Sequence, residues 1–152
     1  MKRILLIMLL FLLVGCTNKV EEEKNNYLTY KSNLQEKEEF DNEEELDFNT
    51  YFNIQRENAE KINYSLVIED PKIDMYNIKA LLIHDYVVED VFPTVGIFDD
   101  AVTLLSGSND KITMQGSIQT EEDISSTKFK LYIEYEDKDG LENKVYYEVA
   151  RG

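Results

Sequence analysis

Residues 128–149 read KFKLYIEYEDKDGLENKVYYEV, and this stretch has the clearest strand pattern of the chain. In its first half the residues of one parity are apolar: Phe129, Leu131, Ile133 and Tyr135. Side chains of a strand point alternately to its two faces, so this alternation predicts a strand with one apolar face. Asp137–Gly140 then predicts a tight turn in which the glycine takes a positive φ. Asn143–Val149 returns with the same alternation, so we expect an antiparallel hairpin.

Strand-like segments also occur upstream of this hairpin. They are 63–68, 77–88, 101–105 and 111–120. Gly116 inside the last one indicates a bulge or a close approach to a neighbouring group. Six or seven short strands separated by turn residues predict an all-β, antiparallel β-sandwich over residues 48–152. The alternative for Val87–Phe92 or Phe98–Leu105 is a short helix.

The N-terminus has the composition of an export signal. Lys2 and Arg3 form a short basic start, and the eleven residues Ile4–Val14 are apolar and uncharged. A membrane-spanning helix needs about 20 apolar residues, because the hydrocarbon core is about 30 Å thick. Eleven residues are too few for that but suit the apolar region of a signal peptide.

The apolar run ends in Leu13-Val14-Gly15-Cys16. This tetrapeptide resembles the lipobox of bacterial lipoproteins. The resemblance implies that residues 1–15 are removed and that the Cys16 thiol carries a diacylglyceryl group. It also implies a lipid-anchored protein on the extracytoplasmic face of the cell membrane, with the membrane as its partner through Cys16. The alternatives are an ordinary secretory signal with a chance cysteine, or an uncleaved anchor.

Residues 16–47 differ in composition from the domain that follows. Positions 17–47 hold eleven acidic residues against four lysines, with no glycine or proline. A stretch so poor in apolar residues buries too little surface to offset its ordering entropy. We expect a largely disordered tether with a fraying helix near Asn33–Leu46, spanning about 30 Å as a flexible coil. The alternative is an acidic interaction tail for a basic partner.

The downstream domain resembles the immunoglobulin-like domains of bacterial surface lipoproteins in strand pattern only. It lacks the Cys…Trp…Cys mark of true immunoglobulin domains. The chain has one cysteine and no tryptophan, so an intramolecular disulfide is excluded.

The net charge restricts the partners. The whole chain carries −15, and loss of Lys2 and Arg3 with the signal peptide brings it to −17. Such a surface repels phosphate backbones and anionic headgroups, so we expect no nucleic acid as partner and no electrostatic membrane docking. An envelope protein is the expected partner class.

Three groups of residues are candidates for metal binding or catalysis. Asp137–Gly140 fails the EF-hand spacing, because tyrosines occupy the first and twelfth positions, so we expect a turn. Asp99-Asp100 with Glu89-Asp90 would make a weak calcium site or a carboxylate pair for glycan hydrolysis, but a solvated loop is favoured. His84 lacks a nucleophile in a recognisable motif. We expect no catalytic residues, no metal and no cofactor.

Tyr132 and Tyr146 lie off the core parity of the final hairpin, where we expect them to pair across an exposed face. They are the candidate binding residues, although simple cross-strand pairing is favoured over binding. The predicted function is a non-enzymatic, lipid-anchored binding or interaction module. The alternatives are a surface-exclusion lipoprotein of a prophage or conjugative element, and a cell-wall-active enzyme.

Overall fold

A computed structural model describes residues 2–87 and 91–151, with side chains described from Asn18 onward. It contains a long helix, a 3₁₀ turn and eight strands. These are α1 Lys2–Glu36, the 3₁₀ turn Glu43–Glu45, β1 Asn49–Asn58, β2 Lys61–Glu69, β3 Met75–His84, β4 Thr94–Val95, β5 Val102–Leu104, β6 Ile112–Gln119, β7 Phe129–Glu136 and β8 Glu142–Glu148. Among the described residues, no helix combines the length and the apolar character needed to cross a membrane.

The strands form two antiparallel sheets. The smaller sheet has the order β1-β2-β6, and the larger has the order β4-β3-β7-β8, with β5 pairing with a further part of β3. One buried cluster contains side chains from both sheets. The smaller sheet contributes Leu66 and Met114, and the larger contributes Ile78, Leu131 and Ile133. The prediction of an antiparallel, mostly β domain is confirmed, and the shared core is consistent with a sandwich.

The final hairpin forms as predicted. β7 pairs antiparallel with β8, with Tyr132 opposite Tyr146. All four residues on the predicted apolar face of β7 are buried. Gly140 has φ +78° in the connecting turn, which only glycine adopts at little cost. Alternation therefore predicted both the face and the register of this element.

Gly116 makes room for a ring on the neighbouring strand. It lies opposite Tyr64, and the pairing of β2 with β6 shows no register shift there. A Cβ at position 116 would lie 2.3 Å from the Tyr64 ring. Of the two predicted explanations, close approach is therefore correct and a bulge is not.

The segment before the sheets differs from the expected tether. Helix α1 runs to Glu36, whereas a fraying helix was expected near residues 33–46. Leu34 is completely buried, and Leu46 and Phe48 belong to the main core. The prediction of a solvated spacer is wrong from Tyr27 onward, because Tyr30, Leu34 and Leu46 pack against the sheets.

The expected short helices are also corrected where the structure describes them. Residues 98–105 contain strand β5 rather than a helix. The segment Val87–Phe92 includes residues 88–90, which lie outside the described residues.

Candidate functional site: the helix-covered face of the larger sheet

The C-terminal part of α1 lies against the outer face of the larger sheet. Tyr27, Tyr30 and Leu34 are spaced three and four residues apart, so they share one side of the helix. A second hydrophobic cluster forms where they meet the sheet. Its buried members are Leu34, Leu81, Ile83, Phe92, Ile97 and Tyr132. The larger sheet is therefore covered on both faces, by the smaller sheet and by the helix.

Three tyrosines line the centre of this contact. The rings of Tyr30 and Tyr132 stack with centroids 4.7 Å apart. Tyr132 and Tyr146 lie across the hairpin at 5.2 Å. The predicted cross-strand pair is thus confirmed. The predicted exposure is wrong for Tyr132, which is 1% exposed because Tyr30 covers it, and Tyr146 is half-buried.

A carboxylate lies beneath the helix beside these rings. The Tyr132 hydroxyl donates to Glu134 Oε2 at 2.7 Å, and Lys79 Nζ donates to Oε1 at 2.9 Å. Lys144 Nζ lies 3.8 Å from the same carboxylate. Burial alone would raise the pKa of Glu134, but the bonds from Tyr132 and Lys79 outweigh it and lower that pKa. Burial and the neighbouring carboxylate raise the pKa of Tyr132.

Lys130 binds the C-terminal end of α1. Its Nζ lies 3.5, 3.3 and 3.4 Å from the carbonyl oxygens of Leu34, Gln35 and Lys37. The last carbonyls of a helix have no partner within the helix and carry partial negative charge, so an ammonium group stabilises this end. Nζ also lies 5.3 Å from the Phe40 ring centroid. Lys130 of β7 therefore stabilises the C-terminal end of α1 against the sheet.

The chain beyond the helix protects the edge of the larger sheet. The Asp41 N–H donates to the Tyr146 carbonyl at 2.8 Å, and Asp41 Oδ2 accepts from the Tyr146 N–H at 2.8 Å. Both backbone groups of β8 at this position are therefore satisfied. Covering an edge in this way blocks pairing with other chains.

A loop meets the other end of the docked segment. Tyr27 and Phe98 have ring centroids 5.4 Å apart, and the Phe92 N–H donates to the Tyr27 hydroxyl at 3.4 Å. Lys31 Nζ lies 5.0 Å from the Phe92 ring. Val91 is 90% exposed and Phe98 is 49% exposed, so large apolar side chains remain accessible beside the helix.

The other predicted residues fall in different places. Leu13, Val14, Gly15 and Cys16 lie in the backbone of α1 but outside the residues whose side chains are described.

His84 is buried among aromatic rings. Its ring lies 4.9 Å from Phe92, 5.6 Å from Tyr64 and 5.7 Å from Phe129. A cavity of about 220 Å³ lies beside it, between the end of α1 and the sheet, and is lined by His84 and Lys130 among others.

The acidic loops form turns. Asp137 Oδ1 accepts from the backbone N–H groups of Asp139 and Leu141, both at 2.9 Å. Asp99 Oδ1 accepts from Gly96 N–H at 2.8 Å, while Glu89 and Asp90 lie outside the described residues. In the described part of the chain, no cluster of three His, Cys, Asp or Glu side chains is placed to hold a metal ion.

Comparisons with protein-family models, with curated proteins and with solved structures found no match to this chain. The resemblance to immunoglobulin-like domains therefore stays a prediction. Sequence reasoning missed the contribution of Tyr30, Leu34 and Lys130 to the covered face. The available signal was the 27/30/34 spacing in an otherwise charged segment.

Proposed function

We propose that this protein is a lipid-anchored extracytoplasmic lipoprotein whose β-domain serves as a non-enzymatic interaction module. The observation that carries the proposal is the sequence Leu13-Val14-Gly15-Cys16 after a basic start and an eleven-residue apolar run. Each buried methylene contributes about 0.8 kcal/mol to membrane binding, so two or three acyl chains on one residue hold a protein durably. The acidic domain needs no membrane affinity of its own.

Helix α1 supports a close, oriented attachment. Tyr27, the first residue of the helix in the cluster on the larger sheet, lies eleven positions after Cys16. At 1.5 Å per residue this distance is about 16 Å along the helix, roughly half of the 30 Å expected for a flexible tether of 31 residues. A domain held by such a helix has a restricted height and orientation above the lipid.

The exposed side chains beside the helix are the favoured contact surface. The exposed Phe98 ring contacts Tyr27, and the exposed Val91 precedes Phe92, whose N–H donates to Tyr27, whereas Tyr132 is covered. Exposed apolar side chains that form a patch are typical of protein-binding surfaces. We also propose that the domain is immunoglobulin-like, which is supported by two antiparallel sheets around a shared core.

Fractionation of bacteria that express the full chain tests the attachment. The native protein should remain with the membranes through a high-salt wash and leave with detergent. Cys16→Ser should remain at precursor mass, because the lipoprotein peptidase requires the lipidated cysteine. A native protein that washes off with salt would contradict the anchor.

A photo-crosslinking amino acid at Phe98 tests the interaction role in the same cells. We expect one discrete adduct of higher mass from position 98. The matched control is the same amino acid at Leu141, which is 64% exposed in the hairpin turn. Equal adducts from both positions, or none from position 98, would exclude this surface.

A further inference from the structure

Strand β1 leaves one edge of the smaller sheet open. In the order β1-β2-β6 it is terminal, so β2 pairs with only one of its sides. Within the described residues no strand pairs with the other side. Alternate N–H and C=O groups along that side are therefore available to another strand.

This edge lacks the usual protection against pairing. Asn49–Gln55 reads NTYFNIQ, seven residues without charge or proline, in a chain that is 31% charged. The register shift of β1 comes only afterwards, between Arg56 and Asn58. Natural edge strands are commonly blocked by lysine, proline or a bulge. The edge of β8, in contrast, is covered at Tyr146 by Asp41.

The hydrophobic core is also incomplete at this edge. Phe52 and Ile54 point toward the main cluster but are only partly buried. At the opposite edge of the same sheet, the apolar core-facing side chains of β6 are at most 4% exposed: Ile112, Met114 and Ile118. An added strand with apolar residues at alternate positions would therefore finish burying Phe52 and Ile54.

We propose that β1 pairs antiparallel with β1 of a second copy of this chain, which joins two smaller sheets into one of six strands. A two-fold axis perpendicular to the sheet keeps the core-facing residues of both copies on the same side. With Asn53 opposite Asn53 of the second copy, Phe52 lies opposite Ile54. Aromatic and β-branched residues stabilise each other in such cross-strand positions.

The charges permit this register. Thr50 then lies opposite Arg56 of the second copy and Asn49 opposite Glu57, so no like charges face each other. The remaining acidic charge of the two copies is screened over about 8 Å at physiological ionic strength. The pairing goes beyond the proposed function, because it uses residues 49–57 and does not require the anchor.

Disulfide trapping in cells that express the full chain tests the proposal. In Asn53→Cys the two new thiols face each other across the two-fold axis, so mild oxidation should give a dimer on a non-reducing gel. Gln115→Cys is the matched control. Asn53 pairs with Ser65, which pairs with Gln115, so both positions lie in one row at opposite edges of the same sheet.

Several-fold more dimer from Asn53→Cys than from Gln115→Cys is the expected result. Equal dimer from both variants, or none from Asn53→Cys, would overturn the pairing. Dimer from the chain without an added cysteine would show that Cys16 is a free thiol and would count against lipidation only. The two cysteine variants are then compared in a Cys16→Ser background, where the same criteria apply to the pairing.

Discussion

At the scale of single residues, Glu134 is a buried carboxylate bound to Tyr132, the ring that the helix covers. Its carboxylate accepts from Tyr132 and Lys79, and its pKa lies below the usual value near 4.5. A carboxyl whose pKa is lowered in the folded state stabilises the fold above its unfolded pKa. That contribution is lost as the pH falls through the folded-state pKa. Glu134 therefore makes the stability acid-sensitive.

We predict that Glu134→Gln lowers the free energy of unfolding at pH 7 by about 1.5–3 kcal/mol, the range for hydrogen bonds to charged groups. The difference from the native chain should shrink as the pH falls from about 4.5 toward 3. Urea unfolding across this pH range measures both effects. Glu148→Gln is the control, because Glu148 forms an exposed pair with Lys128. A difference that stays constant with pH would refute the role given to Glu134.

Gly116 gives a second prediction at this scale. A methyl group there would meet the Tyr64 ring at 2.3 Å, and that ring is packed against Phe129 and His84. Overpacking of this kind costs about 1–3 kcal/mol. Gly116→Ala should therefore lower the urea midpoint, whereas Ser117→Ala on the same strand should not. Equal midpoints for the two variants would show that the ring moves away freely.

At the scale of elements, the docking of α1 depends on Leu34. This side chain is completely buried, and replacing a buried leucine by alanine costs about 2–5 kcal/mol. We predict that Leu34→Ala loosens the helix and accelerates tryptic cleavage at Lys31 and Lys37. Leu28→Ala removes the same atoms from a residue that is 49% exposed. Trypsin should therefore cleave this variant at the same rate as the native chain. Identical cleavage of both variants would contradict docking through Leu34.

The elements differ in how well the sequence predicted them. The hairpin of β7 and β8 was predicted because one parity is apolar and the turn carries glycine. The cover by α1 was missed because charge dominates residues 17–47 and the helix contributes only three side chains to the cluster, Tyr27, Tyr30 and Leu34. A stronger sequence signal for a covered sheet is the apolar run Ala80–Ile83 in β3. All four of its side chains are buried, so both faces of this strand are covered. A strand apolar on both faces indicates a sheet covered on both sides.

At the scale of the whole molecule, the proposed lipidation site and the segment that covers the larger sheet belong to one continuous helix. Cys16 precedes the docked segment of α1. Lys130 binds the Gln35 carbonyl at the end of that segment, and Asp41 accepts a hydrogen bond from Tyr146 of β8. The candidate binding face at Tyr132 could not be assigned correctly from sequence, since its cover comes from residues about 100 positions away.

Metabolic labelling with a radioactive fatty acid tests the proposed lipid attachment at Cys16. Cells expressing the full chain should incorporate label into the native protein, because the proposed modification places acyl chains on Cys16. Cys16→Ser should incorporate none at equal expression. Ser106→Ala, a change far from the lipobox, should label like the native chain. An unlabelled native protein, or a labelled Cys16→Ser protein, would contradict lipid attachment at Cys16.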